Sequence, residues 1–364
     1  MIFFLNLIIT IVYSERIGRL AAKYNYTPLA TAFCFLPLFC LWTVICGGQY
    51  YVGTDYPSYI RFFNGVDYDQ FYRSGEIGFA WVVENLISIG ITGNWVYAFF
   101  YAVCFLFLCF FIYEAKLEKQ YIFIFLFLLI AYTVMFNNQL NILRQAIATY
   151  IGSCGAMMII KGRKINGLFL ILAATTIHLS ALILLLFFFS KYISHLSEKI
   201  LYLFVIIGVG GTFAITVNSF DFLYPVLPKG YAWYIDGGGI QDRGIIPIIT
   251  KFIYLPIIII SIRKRRFFCL SPLHNTLFIW GIIGFSFKLM LINITIVSRL
   301  SDYWLLFNIF PIYFLISWLY KSSSIKKRIS GLFLIFAISA LYFIKTCVFA
   351  SAEYNYASVY QFFF

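Results

Sequence analysis

The sequence predicts an all-α, polytopic integral membrane protein, and three observations carry that expectation. Of 364 residues, 62% are hydrophobic and only 11% charged, whereas a soluble surface needs roughly a quarter or more of charged positions. Apolar stretches of about the length that crosses a bilayer recur along the whole chain. Short basic clusters separate them: Arg16, Arg19 and Lys23; Lys116 and Lys119; Lys161, Arg163 and Lys164; Lys191 and Lys199; Arg263 to Arg266; Lys321, Lys326, Lys327 and Arg328. These clusters hold 18 of the 27 Lys and Arg residues, with only Glu15, Glu114, Glu118 and Glu198 among them, and leave nine basic residues facing ten acids elsewhere. Short loops rich in Lys and Arg stay in the cytoplasm. The net charge of +13 is therefore a topology signal, and no nucleic-acid partner is expected.

Taken in order, the expected spans lie near 1–14, 29–46, 94–113, 121–137, 141–160, 200–218, 247–262, 273–292, 303–320 and 330–349. Each follows from a run of about 20 apolar residues, the first being short. With residues 165–190 the total is about 10–12 helices in a single transmembrane domain spanning 1–364. The 165–190 stretch raises a parity problem. A single crossing there would put the Lys161 to Lys164 and Arg263 to Arg266 clusters on opposite sides. A bent pair of short helices, 165–176 and 179–190, resolves it, with Thr175-Thr176-Ile177-His178 at the outer tip beside a buried, water-accessible cavity. Met1 to Tyr13 has no basic region before it and no small-residue cleavage site after it, so no removable signal peptide is expected. The eight Cys lie in apolar stretches without CxxC or Cys/His metal spacing and read as small core residues, so neither a disulfide nor a metal site is expected.

Two outer loops are long. The first, about 47–93, is expected to contain a surface helix with Ile77, Trp81, Val82, Leu86 and Ile89 on its apolar face. The second, about 219–246, is rich in Pro, Gly and aromatics, including Tyr231 and Trp233, and ends near Arg243. Its aromatics suit either a membrane-interface belt or stacking against sugar rings.

There is no nucleotide-binding loop, no HExxH and no Gly-x-Ser-x-Gly; the chemistry must come from ionisable residues at outer helix ends. Arg144, in Asn141-Ile142-Leu143-Arg144-Gln145, and Arg299, in Ser298-Arg299-Leu300, fit substrate binding, since a planar guanidinium fork grips phosphate bidentately. Snorkelling or an ion pair is the alternative, with Asp302 the expected partner of Arg299. Lys288 reaches for the same cavity or for the surface. His178 is a candidate proton acceptor, against the plain reading of a core histidine, and Asp55 is the rival base, against that of a turn residue.

Gly53-Thr54-Asp55-Tyr56-Pro57-Ser58-Tyr59, Glu76-Ile77-Gly78-Phe79, Leu143-Arg144-Gln145-Ala146-Ile147-Ala148, Thr176-Ile177-His178-Leu179-Ser180-Ala181-Leu182 and Ser298-Arg299-Leu300, in that order, resemble the EpsG-like family of Wzy-type polysaccharide polymerases. The resemblance runs through roughly 47–320. It implies an architecture similar to GT-C membrane glycosyltransferases and a location in the bacterial inner membrane with the active site on the outer side. It implies polymerisation of O-antigen, capsule or exopolysaccharide repeat units carried on undecaprenyl pyrophosphate, which would be both donor and acceptor. A chain-length regulator is a possible partner. It singles out Arg144, His178 and Arg299 for mutation, and gives Asp55 and Glu76 a role in organising the loop. Arg144 and Arg299 would hold the donor pyrophosphate, with Lys288, Arg243, Tyr231 and Trp233 completing substrate contacts, and no cofactor would be needed. The rival functions are a flippase for the same lipid-linked sugar, which should show repeated halves, and a membrane O-acyltransferase.

Overall fold

The computed structural model describes residues 2–50, 52–53, 55–67, 69–214, 245–269, 271–293, 298–348 and 361–362. Arg243, Tyr231 and Trp233, and with them the second outer loop, lie outside the described residues. The chain is an all-α membrane protein; its described strands are the two-residue β1, Gln49–Tyr50, and β2, Gln361–Phe362, paired antiparallel.

Helix α1, Ile2–Lys23, runs past the expected end at residue 14 and through the first basic cluster. Its buried stripe of Phe3, Leu7, Thr10, Ser14, Gly18 and Ala21 repeats every three to four residues, and so continues the apolar face beneath the charges. Helix α2, Pro28–Gly47, starts where Thr27 accepts a hydrogen bond from the Ala30 N–H and Pro28 takes the first helical position. The first outer loop is itself helical: α3, Tyr56–Phe63; α4, Asp69–Arg73; and α5, Ile77–Ser88. These pack on the start of α6, Asn94–Glu114, through an aromatic cluster. Ring centroids are 4.8 Å apart for Phe63 and Tyr97, 4.9 Å for Phe71 and Phe79, and 5.1 Å for Phe79 and Phe100.

Helix α5 is the surface helix expected here, and of its expected apolar face only Leu86 is buried. Phe79, Ala80, Val83 and Leu86 are buried, while Ile77, Trp81 and Ile89 are exposed. The aromatic cluster claims Phe79, and the close approach of Gly78 to Thr176 fixes the rotation. Ile77, Trp81 and Ile89 are then left facing outward, as in an interfacial helix.

A 3-10 turn, Lys119–Tyr121, leads into α7, Ile122–Ala131, in which every residue is buried. Ten residues rise about 15 Å, half a bilayer. The expected span 121–137 is broken by Val134, whose φ of 55° is left-handed, before α8, Met135–Asn138. Such backbone is tolerated at depth only inside protein. Here Thr133 donates to the Leu129 carbonyl at 2.7 Å, and the Tyr342 hydroxyl donates to Asn137 Oδ1 at 2.8 Å.

Helix α9, Leu143–Ile160, packs against α10, Lys164–Ile177, after which a 3-10 helix, Leu179–Phe189, and α11, Ser190–Ile193, follow. A Cβ on Gly152 would meet both Ala174 and Leu184, so the two arms after Lys164 lie beside the same stretch of α9. The arms have 14 and 11 residues, or about 21 and 22 Å at their respective rises, so the chain folds back at His178. The far end of the second arm meets the basic cluster: Asn275 donates to the Ser194 carbonyl at 2.8 Å, Arg265 to that of Leu196 at 3.0 Å, and Arg266 pairs with Glu198 at 3.1 Å.

Helix α12, Glu198–Ala214, is followed in the described part by α13, Ile245–Phe252, and α14, Leu255–Lys264, which split the expected span 247–262. Then come α15, Pro272–Met290, a 3-10 turn, Arg299–Trp304, α16, Leu305–Lys321, and α17, Ile325–Phe343, extended by a π turn to Val348. Gly281 and Gly284 on α15 let Pro311 and Trp304 approach. Among the described residues, five helical segments are long and apolar enough to cross a membrane: α2, α6, α9, Arg299–Lys321 and Ile325–Val348.

Candidate functional site

The site is assembled at the opposite end of α9 from Lys161. Its hub is Glu76, at the N-terminus of α5. Gly75, with φ of 82°, makes a turn that a side chain would strain, and the Glu76 N–H then donates to the Phe71 carbonyl at 2.9 Å. This delivers the carboxylate inward beneath the aromatic cluster, where its side chain is 3% exposed.

Two partners hold it. Arg144, in the first turn of α9, donates from Nη1 to Glu76 Oε2 and from Nε to the Tyr59 hydroxyl at 3.0 Å, with its guanidinium carbon 4.9 Å from the Phe71 ring centroid. His178, in extended conformation between the two arms, has Nδ1 2.5 Å from Glu76 Oε1. A carboxylate there favours the tautomer protonated at Nδ1, which leaves Nε2 as an acceptor. Nε2 has no hydrogen-bond partner among the described residues, and the His178 side chain is 16% exposed. Burial alone pushes the Glu76 carboxyl up; the His178 hydrogen bond and the Arg144 charge outweigh it and hold the group below the ordinary carboxylate range.

Close backbone contacts bring the separated motifs together. Gly78 lies against Thr176, whose side chain would collide with any Cβ at that position, so the segments carrying Glu76 and His178 dock directly. Gly53, at φ of 86°, sits on Asn141, whose Oδ1 accepts the Asp55 N–H at 3.0 Å. Asp55 is thus placed just before α3 and tied to the turn preceding Arg144. Gln145 donates to the Arg299 carbonyl at 2.5 Å, and the Ser180 and Tyr303 hydroxyls are 2.9 Å apart.

Asp302 is not the partner of Arg299, which corrects the sequence expectation. Lys288 lies 2.6 Å from Asp302 and also donates to the Ser298 carbonyl at 3.3 Å. In the 3-10 turn the Asp302 carboxylate faces α15 and Lys288. Lys288 accordingly neither snorkels nor stands alone, and the pair fastens the turn that carries Arg299. Arg299 has no ion-pair partner among the described residues.

Sequence reasoning reached Arg144, His178 and Arg299, which the structure gathers, but gave Glu76 no part beyond the loop and did not consider Tyr59 or Gln145. The available signal was the position of Glu76, an acid flanked by Gly75 and Gly78 in a loop rich in aromatics.

The fold and this constellation, a buried Glu76 held by the partly buried His178 and Arg144, define a candidate site in a helical membrane protein. The chain matches the EpsG family over residues 32–362 and belongs to that family, one of Wzy-like polysaccharide polymerases. No curated protein and no solved structure matches it.

Proposed function

We propose that this protein polymerises lipid-pyrophosphate-linked oligosaccharide repeat units on the outer face of the bacterial cytoplasmic membrane. The observation that carries the reading is the Glu76 carboxylate shared by His178 and Arg144, tied through Gln145 to the segment of Arg299, which has no ion pair among the described residues. The basic clusters at the other end of the helices support the cytoplasm as the opposite side.

In the reaction, an acceptor sugar hydroxyl attacks the anomeric carbon of the donor chain. The new C–O bond forms as the bond to the lipid pyrophosphate breaks. The hydroxyl proton goes to His178 Nε2, and the electron pair leaves with the pyrophosphate. Glu76 orients the imidazole and stabilises the imidazolium that forms. Arg299 meets the charge developing on the leaving group. Arg144, already committed on two nitrogens, presents its remaining Nη2 and holds Glu76 ionised. Asp55 is the second candidate base, and the undescribed second loop, with Tyr231, Trp233 and Arg243, is a source of sugar and phosphate contacts.

The test is the lipid-linked glycan profile of a deletion strain. Accumulation of a single repeat unit on its lipid, restored to a ladder by the wild-type chain but not by His178→Ala, is expected. A full ladder without the protein would end this reading, and loss of all outward-facing units would favour a flippase.

A further inference from the structure

Away from this site, at the basic end of the molecule, α2, α6 and α7 enclose an apolar slot of about 310 Å³. It runs along one face of α2 from Pro28 to Phe39, a rise of about 16 Å. One leaflet of hydrocarbon is about 15 Å deep, half the roughly 30 Å core. The slot therefore has the depth of one leaflet. Its walls include Ile112 and Leu126, and its charged residues are Lys116 and Lys119. Both lie at the same end as Pro28, where α6 gives way to the turn before α7. Lys119 spends one hydrogen on the Tyr26 carbonyl and keeps two for another acceptor.

We propose that this slot is a binding site for an anionic phospholipid of the leaflet on the basic side, with one acyl chain inserted between α2, α6 and α7 and the phosphate held by Lys116 and Lys119. An apolar space of this shape excludes water and suits a hydrocarbon chain. Two cations at its polar end select an anionic headgroup over a zwitterionic one. The occupant wedges the only partly buried α2 against the wholly buried α7. The site is remote from Glu76, so the proposal stands or falls independently of the polymerase reading.

The experiment measures thermal unfolding of the full chain in detergent as dioleoylphosphatidylglycerol or dioleoylphosphatidylcholine is titrated in. Phosphatidylglycerol is expected to stabilise at a concentration roughly tenfold lower or more, as two lysines near a headgroup imply. Lys116→Gln, an exposed change, should narrow that preference, and adding Lys119→Gln should remove it. Ala32→Phe, at an exposed position on the slot wall, should abolish stabilisation by either lipid. Equal potency of the two lipids on the wild type would overturn the proposal. So would unchanged selectivity in the double variant, or stabilisation by glycerol 3-phosphate alone, which has no chain to insert.

Discussion

The Glu76 carboxylate lies 2.5 Å from His178 Nδ1 and is nearly sealed from solvent, 102 residues apart along the chain. A buried charge of this kind is tolerated because Arg144 grips its second oxygen. The arrangement sets the basicity and direction of the imidazole, and it makes the two sides of the site interdependent.

Removing the carboxylate should therefore act on both stability and rate. Glu76→Ala leaves Arg144 partly buried without its counter-charge, and a loss of about 3–5 kcal/mol is expected. Glu76→Gln keeps an acceptor for Nδ1–H and should fold better, yet lower polymer formation and shift its pH profile. His178→Ala should lower the rate by about 10²–10⁴ with little effect on insertion. The checks are unfolding in detergent and polymer formed per inserted protein; a Glu76→Gln profile identical to wild type would refute the orienting role.

The two arginines should respond differently to lysine. Arg144→Lys cannot reach Glu76 and Tyr59 together, so it should reduce stability as well as activity. Arg299→Lys removes no ion pair within the described structure and should leave unfolding unchanged while activity falls. Arg299→Ala should cost about 10²–10³ in rate. Equal destabilisation by both lysine variants would contradict this division of roles.

Acid should report on Glu76. Its folded carboxyl is held below the unfolded one, so its contribution is present above the unfolded value, about 4.3, and is lost as pH falls through the lower, folded value. Wild-type stability should therefore decline on the acid side of pH 4.3, and the decline should be shallower in Glu76→Gln. Parallel acid limbs for the two proteins would count against the linkage.

Gly78→Ala tests the docking of the two motifs. A methyl group there collides with Thr176, and overpacking of this kind costs typically 1–3 kcal/mol. Thr176→Ala should relieve part of that cost when combined with it, which a double-mutant cycle measures. Additive effects would mean that the two segments do not depend on this contact.

Periodicity and charge along the chain were enough to reveal a helical membrane protein, its basic face, and a fold-back at His178, because hydrocarbon thickness and the sidedness of basic loops are properties of local composition. They also pointed to Arg144, His178 and Arg299, since an ionisable residue at the end of an apolar run is costly wherever the rest of the chain goes. Tertiary structure decided which charges meet. Asp302 is three residues from Arg299 but faces Lys288, and Glu76 finds His178 and Arg144 only because Gly75 and Gly78 let its loop close on α10. The same holds for α5, where the aromatic cluster around Phe79 decided which side packs inward and left most of the expected apolar face exposed. Pairings across such distances depend on backbone approach and on side chains competing for one partner, and neither is encoded in the spacing of residues along the chain.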